Sequence, residues 1–231
     1  RPFLADPEFV NKAAAGKADE INTCIACNQA CLDHVFQNKR ASCLVNPRAC
    51  YETELNFNPA AVRKKIAVVG AGPAGMAFSV YAAQRGHSVT LFDKDQQIGG
   101  QFNYAKQVPG KEEFHQTIRY FERMLKLHAV NLQLGQLQSV ESLVEGGFDE
   151  VVLATGIVPR HLDLPGADHP KVLSYLNVLR DHQHVGAKVA IIGAGGIGFD
   201  VAEYLTEPHS LTLQPEAWLK EWGIDKDYQS R

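Results

Sequence analysis

All five cysteines of the chain lie between Cys24 and Cys50. Four of them, Cys24, Cys27, Cys31 and Cys43, follow the pattern C-x2-C-x3-C-x11-C. Packing three thiols into so short a stretch makes a ligand loop, because thiolates are soft donors suited to iron–sulfur clusters and to zinc. The crowding fits a [4Fe–4S] cluster, the spacing also admits [2Fe–2S], and structural zinc stays open, although zinc ribbons usually pair cysteines as two separated CxxC knuckles. An odd cysteine count in a chain of 231 residues argues against a disulfide framework. Cys50 falls outside the set and reads as a small buried or partly exposed thiol. None of the nine histidines is placed as a needed ligand, and His34 is expected on the surface of the cysteine segment.

Two glycine loops carry the second kind of chemistry. Gly70, Gly72 and Gly75 in GAGPAG follow an apolar run and open a helical stretch. In such a loop the first glycine permits the tight turn, the second lets the backbone approach a pyrophosphate, and the third allows close helix–strand packing. The helix N-terminus then faces the phosphates, and Asp93, about 20 residues on, can accept hydrogen bonds from ribose hydroxyls. Gly193, Gly195 and Gly198 repeat the arrangement about 120 residues later, which implies a second dinucleotide, NADH or NADPH. An acid or an Arg at the end of the next strand would decide between them. Spacing alone puts that strand at Leu211 to Leu213, but Pro208 and Pro215 make it a poor central strand. An excursion over residues 206–231 is expected there instead, with the deciding strand outside the chain.

These motifs need elements to position them. Asp6-Pro7 is a helix-start signal, and residues 1–22 read as the tail of an earlier domain. Residues 23–60 form the cysteine segment and a polar linker with Asn56, Asn58 and Pro59. Lys65 to Val69 is predicted as a strand, the following helix runs to Arg85 with Gly86 as its stop, and Val89 to Phe92 is the next strand. Lys111 to His128 carries Phe114, Ile118, Phe121 and Leu125 at helical spacing and should pack on the sheet. Phe148 to Ala154 and Lys188 to Ile192 are two further predicted strands, the latter followed by a helix with Phe199, Val201 and Leu205. The expected class is α/β, with two Rossmann-like dinucleotide-binding units, the second incomplete, behind a cysteine-rich segment. Residues 61–162 should form the first unit and 163–231 the second.

A net charge of −3 and a pI near 6.3 give no reason to expect nucleic acid or an anionic membrane as partner. The apolar runs fall far short of the roughly 20 residues needed to span a bilayer. Both ends read as cuts through a longer protein: Arg1-Pro2 has no initiator Met or signal-peptide character, and Gln229-Ser230-Arg231 stops without a turn signal.

Gly99-Gly100-Gln101 and Ala154-Thr155-Gly156 resemble further backbone elements of flavoproteins with two dinucleotide domains, a resemblance that implies FAD in the first loop, held by Gly70, Ala71, Gly72, Gly75, Asp93, Gly100, Gln101, Thr155 and Gly156. A closer likeness runs through CIACNQACLDHVFQNKRASCLVNPRAC, IAVVGAGPAG, FDKDQQIGGQFNYAKQVPGKEEF, IVPRHLDLPG and KVAIIGAGGIGFD. Together these resemble the bacterial NADPH-dependent 2,4-dienoyl-CoA reductases over nearly the whole chain, thinning at 129–147 and 206–231. That resemblance implies a cytoplasmic enzyme of fatty acid β-oxidation. Its FMN-binding (β/α)₈ barrel would reduce an unsaturated acyl-CoA, while FAD, NADPH and a [4Fe–4S] cluster on Cys24, Cys27, Cys31 and Cys43 supply electrons. The barrel is missing here, except that Arg1 resembles a residue facing the FMN phosphate.

A nicotinamide delivers two electrons together and an iron–sulfur cluster takes one at a time, so a flavin belongs between them. The expected order is NADPH, FAD, cluster, FMN, substrate. No catalytic acid or base is assigned to this chain. Rival readings are a 2-enoate reductase, an NADH-dependent flavin oxidoreductase or an amine dehydrogenase of the same architecture, and a zinc-stabilised nucleotide-binding module without redox activity.

Overall fold

A computed structural model describes residues 2–160, 162–207 and 209–227. In chain order the elements begin with α1 (Pro2–Ala5), α2 (Phe9–Ala14), a 3-10 turn (Ala18–Glu20), a π-helical turn (Gln29–Asp33) and α3 (His34–Phe36). There follow β1 (Lys65–Val69), α4 (Pro73–Gln84), β2 (Ser88–Phe92), α5 (Phe102–Ala105), α6 (Glu113–Leu127), β3 (Asn131–Gln133), α7 (Val140–Glu145) and β4 (Glu150–Leu153). The last are α8 (Tyr175–Leu179), α9 (Gly196–Thr206), a 3-10 turn (Leu211–Leu213) and α10 (Pro215–Glu221). Among the described residues the chain forms two compact units. The first runs through Phe102 and from Glu113 to Val158, and the second holds Asn103–Glu112 and the chain from Pro159 onward.

The first unit is built on a parallel sheet of order β3-β2-β1-β4, with Val68 opposite Leu91 on one side and Val152 on the other. Ile66, Ala67 and Val68 of β1 are buried, the near-continuous apolar run expected of a central strand covered on both faces. From α4, Met76 and Val80 close over it, and Gly86 ends that helical stretch in a left-handed conformation, φ +93°. The residues of α6 that enter the core are Thr117, Tyr120, Phe121, Met124 and Leu125. This face is wider than the predicted stripe and rotated from it: Ile118 is half-buried, and Phe114 instead stacks on Phe102 with ring centroids 4.4 Å apart. Residues read as a polar linker are docked. Phe57 stacks on Tyr81 at 4.8 Å, and Arg85 donates from Nε to the Asn58 carbonyl at 3.1 Å.

In the second unit the predicted strand Lys188 to Ile192 does not form. Its backbone makes no ladder among the described residues, and Val189, Ile191 and Ile192 are exposed. A β-branched run becomes a strand only beside another strand that satisfies its N–H and C=O groups, and no described residue supplies one here. The loop and helix that should follow are present. Val201 of α9 packs with Val108, Val178 and Leu179, and Lys111 pairs with Asp200 at 2.6 Å. Leu211–Leu213 is a 3-10 turn rather than a strand, in keeping with the excursion expected from the flanking prolines. Arg1 and Pro208 lie outside the described residues. No helix among the described residues is long and apolar enough to cross a membrane.

At Gly75 a Cβ would overlap the carbonyl oxygen of Gly70. Gly75→Ala should therefore lower unfolding free energy by about 1–3 kcal/mol, the usual cost of overpacking a tight site. Urea denaturation of the two proteins measures this, and an unchanged midpoint would show that the loop relaxes freely.

Candidate functional site

Because β4 returns to lie beside β1 while β2 and β3 extend the other way, the sheet reverses its order between β1 and β4. Ligands of open α/β sheets bind outside the carboxyl ends of the strands at such a switch point. Here the backbone leaves β1 through Gly70 (φ +111°), so close to the end of β4 that a Cβ at Gly70 would overlap the Ala154 carbonyl. Ala154 itself donates to the Val69 carbonyl at 2.8 Å. Gly99 donates to the Ala71 carbonyl at 2.8 Å, and a Cβ on Gly100 would stand 3.0 Å from the Gly72 Cα. Gln101 reaches the Ile157 carbonyl from Nε2 at 3.4 Å. The structure thus gathers Gly70, Ala71, Gly72, Gly75, Gly100, Gln101, Thr155 and Gly156 at the carboxyl end of the sheet.

The glycines divide by what they touch. Gly70 and Gly75 are explained by packing, whereas a Cβ on Gly72 would meet nothing. Gly72 begins α4, with Pro73 in the first turn and no side-chain cap on the helix N–H groups. Its openness is what backbone approach by a pyrophosphate requires. Asp93 stands at the end of β2. Its Oδ2 accepts from the Ala71 N–H at 2.6 Å and its Oδ1 from the Asp95 N–H at 2.9 Å. Each oxygen keeps acceptor capacity for a ribose hydroxyl, and the two bonds fix the carboxylate's direction. These residues fit FAD.

The second loop shares part of this division: only its third glycine is packed, and Gly193 is required by its backbone angle rather than by a neighbour. Gly193 is left-handed (φ +113°), a Cβ on Gly198 would overlap the Gly193 carbonyl, and Gly195 opens α9 with empty space at its Cβ position. Loop and helix N-terminus are present, while the strand that would lead into them is not formed among the described residues.

The cysteine segment forms a cavity of about 260 Å³ lined by Cys24, Cys27, Cys31 and Cys43, with Leu4 and Ala30 among its apolar walls. Two left-handed residues, Ala26 (φ 55°) and Asn28 (φ 58°), curl the first part of the loop, and the Ala26 N–H donates to Cys24 Sγ at 3.4 Å. Cys31 sits in the π-helical turn, a rare element frequent at functional sites. Ser42 N–H donates to the Ala30 carbonyl at 2.6 Å, which brings the Cys43 arm to the Cys31 arm. Burial pushes the Cys43 thiol above its usual value, with the nearby Cys24 and Cys27 adding to the shift and the backbone of Val45 and Asn46 opposing it. Among the described residues, no group of three or more His, Cys, Asp or Glu side chains is already drawn together as a metal site, the four cysteines included. The four thiols and their room fit a polynuclear cluster. Cys50 is exposed, and His34 bonds through Nδ1 to the Arg40 carbonyl at 3.0 Å.

Sequence reasoning missed Asp6 and Asn22, both buried. Asp6 Oδ2 accepts from the Asn22 N–H at 2.9 Å and from Lys12 Nζ at 2.7 Å, and Asn22 Nδ2 donates to the Val45 carbonyl at 2.7 Å. Asn22 thereby ties the Cys24 arm to the Cys43 arm. Asp6 was legible only as a helix-start residue, and nothing in the spacing marks its long-range partner.

Fold and site together define an α/β oxidoreductase module of the kind that uses a flavin and a pyridine nucleotide. Residues 64–213 match the family described as pyridine nucleotide-disulphide oxidoreductase, and the chain belongs to that family. It is similar to a metal reductase of Desulforamulus reducens, 39% identical over 91% of this chain and 32% of that protein. A cinnamate reductase of Clostridium sporogenes is 39% identical over 90% of this chain and 31% of its own length. A 2-naphthoyl-CoA reductase, solved in complex with 2-naphthoyl-CoA, superposes with a TM-score of 0.87 at 32% identity, over 96% of this chain and 37% of that one. The chain spans about a third of the length of the curated relatives it matches.

Gly72→Val in the full-length protein should leave the urea midpoint nearly unchanged, because the side chain enters open space, while FAD occupancy falls. Flavin extraction and absorbance read the second effect, and full occupancy would remove Gly72 from the site.

Proposed function

We propose that the chain is the electron-relay portion of an NADPH-dependent reductase of 2,4-dienoyl-CoA. FAD would lie in the first glycine loop, NADPH in the second, and a [4Fe–4S] cluster on Cys24, Cys27, Cys31 and Cys43. The observation that carries this reading is the cysteine-lined cavity in the same compact unit as the first dinucleotide fold. Three of the four thiols fall within eight residues, a crowding that suits a cluster better than the two separated CxxC knuckles usual in zinc ribbons. Two of the similar proteins are named for cinnamate and 2-naphthoyl-CoA, both conjugated or aromatic, which supports an activated unsaturated acyl group as substrate.

Bound at these sites, a nicotinamide supplies a hydride, a flavin exchanges electrons singly or in pairs, and a cluster carries one at a time. The chain's own residues position and insulate. The α4 N-terminus and Gly72 receive the pyrophosphate, Asp93 orients a ribose, Gly195 admits the second dinucleotide, and Leu4 and Ala30 give the cysteine cavity apolar walls. No acid or base is assigned. Reduction of the acyl-CoA, its FMN barrel, a contact of Arg1 with FMN and a cytoplasmic setting belong to the longer protein as parts of the same proposal.

In the full-length protein, Cys31→Ser should remove or destabilise the cluster while leaving both glycine loops folded. Stopped-flow absorbance should then show NADPH-dependent bleaching of FAD, whereas dienoyl-CoA product formation falls to background. Iron analysis and circular dichroism confirm cluster loss and fold. A folded, cluster-free variant with normal product formation would contradict the relay.

A further inference from the structure

Helix α6 has two occupied faces. One places Thr117, Tyr120, Phe121, Met124 and Leu125 in the core of the first unit. The other carries Arg119 and Arg123, four apart and therefore side by side, against the chain that leads into Cys24.

Every N–H of the Arg119 guanidinium has a partner. Nη1 donates to the carbonyls of Ala18 at 3.1 Å and Asp19 at 2.6 Å, and Nη2 to the Ile21 carbonyl at 2.8 Å and to Thr23 Oγ1 at 3.5 Å. The fifth donor, Nε, bonds Gln116 Oε1 at 2.7 Å, which steadies the side chain on its own helix. Arg123 adds a charge pair on the same segment, through Nη2 to the buried Glu20 at 2.8 Å and through Nε to Asp19 at 3.0 Å. Four of the five Arg119 bonds end on residues 18–23, the last of them next to Cys24.

This is not an ordinary surface ion pair. The acceptors of Arg119 are chiefly backbone carbonyls, which cannot swing away as an exposed carboxylate can, and the rigid planar fork loses little freedom in binding several at once. The Ala18 carbonyl also accepts from the Ile21 N–H at 3.3 Å, so the guanidinium reinforces the turn there and reaches on to the Asp19 and Ile21 carbonyls. Electron tunnelling falls off steeply with separation, so a relay needs its cysteine ligands held at a fixed place relative to the flavin fold.

We propose that Arg119 is a positioning residue, fastening the Cys24 arm of the cysteine cavity to the flavin-bearing core through α6. The proposal rests on the cavity being an iron–sulfur site. Removing the clamp frees the arm on one side, leaving Asn22 to hold it from the other.

The test uses the full-length protein, purified without oxygen, as wild type, Arg119→Ala and Arg119→Lys. FAD, iron and acid-labile sulfide are measured per chain, and iron release to excess bathophenanthroline disulfonate is timed. Arg119→Ala is expected to keep wild-type FAD content while losing iron at least about tenfold faster, the change that one charge-assisted hydrogen bond commands. Arg119→Lys keeps a charge and donors without the fork, and its release rate should fall between the two. A wild-type release rate in Arg119→Ala overturns the clamp. So does loss of FAD and iron together in both variants, which would mark Arg119 as a general support of α6. Iron-free wild-type protein contradicts the cluster reading itself, and that measurement is made before either variant is compared.

Discussion

Backbone touches backbone where β1 gives way to the first glycine loop. Gly70 stands against the Ala154 carbonyl, Gly75 against the Gly70 carbonyl, and Gly100 against Gly72, so at three places a side chain would force the loop, the α4 N-terminus and the end of β4 apart. Much else follows from that closeness. The order β3-β2-β1-β4 brings β4 beside β1, and the contact then aims α4 at the gap between them. Asp93, at the end of β2 on the far side of β1, completes the arrangement by bonding Ala71, which fixes a carboxylate beside the glycine loop. The one glycine that packing does not explain, Gly72, is the one a phosphate would need.

The cysteine cavity obeys a different constraint. It has little regular structure to rely on, and its shape comes from left-handed residues, a π-helical turn and a few buried polar anchors. Asp6 and Asn22 draw the flanking segments together, and the docked Phe57 ties the chain beyond Cys43 to Tyr81 on α4. Thiols held by a loop without such anchors would be free to bind whatever ion arrived. Anchored, they line a space of set size.

The central strand β1, the turn at Gly70 and the helix behind it were legible because each rests on a local rule: a β-branched run, a glycine where φ is positive, and a helical stretch bounded by the glycine loop and the Gly86 stop. The face of α6 was read less well, since Thr117, Tyr120 and Met124 enter the core and Phe114 does not, and only the neighbours decide that. Lys188 to Ile192 has the composition of a strand, but pairing is a property of two segments. The four cysteines and the glycines were plain in the sequence, whereas Asp6, Asn22 and Arg119 act over separations of 16 to 101 residues that no spacing rule covers. What such residues bind could be seen only once the chain was folded.

The proposed relay requires electrons to pass between the flavin-type dinucleotide fold and the thiol-lined cavity of the same compact unit. Electron paramagnetic resonance of the full-length protein, frozen after anaerobic addition of NADPH alone, tests that directly. The relay predicts the signal of a reduced iron–sulfur cluster, growing in as the flavin absorbance falls. A fully reduced flavin with no such signal, or zinc in place of iron at the cysteines, would contradict it.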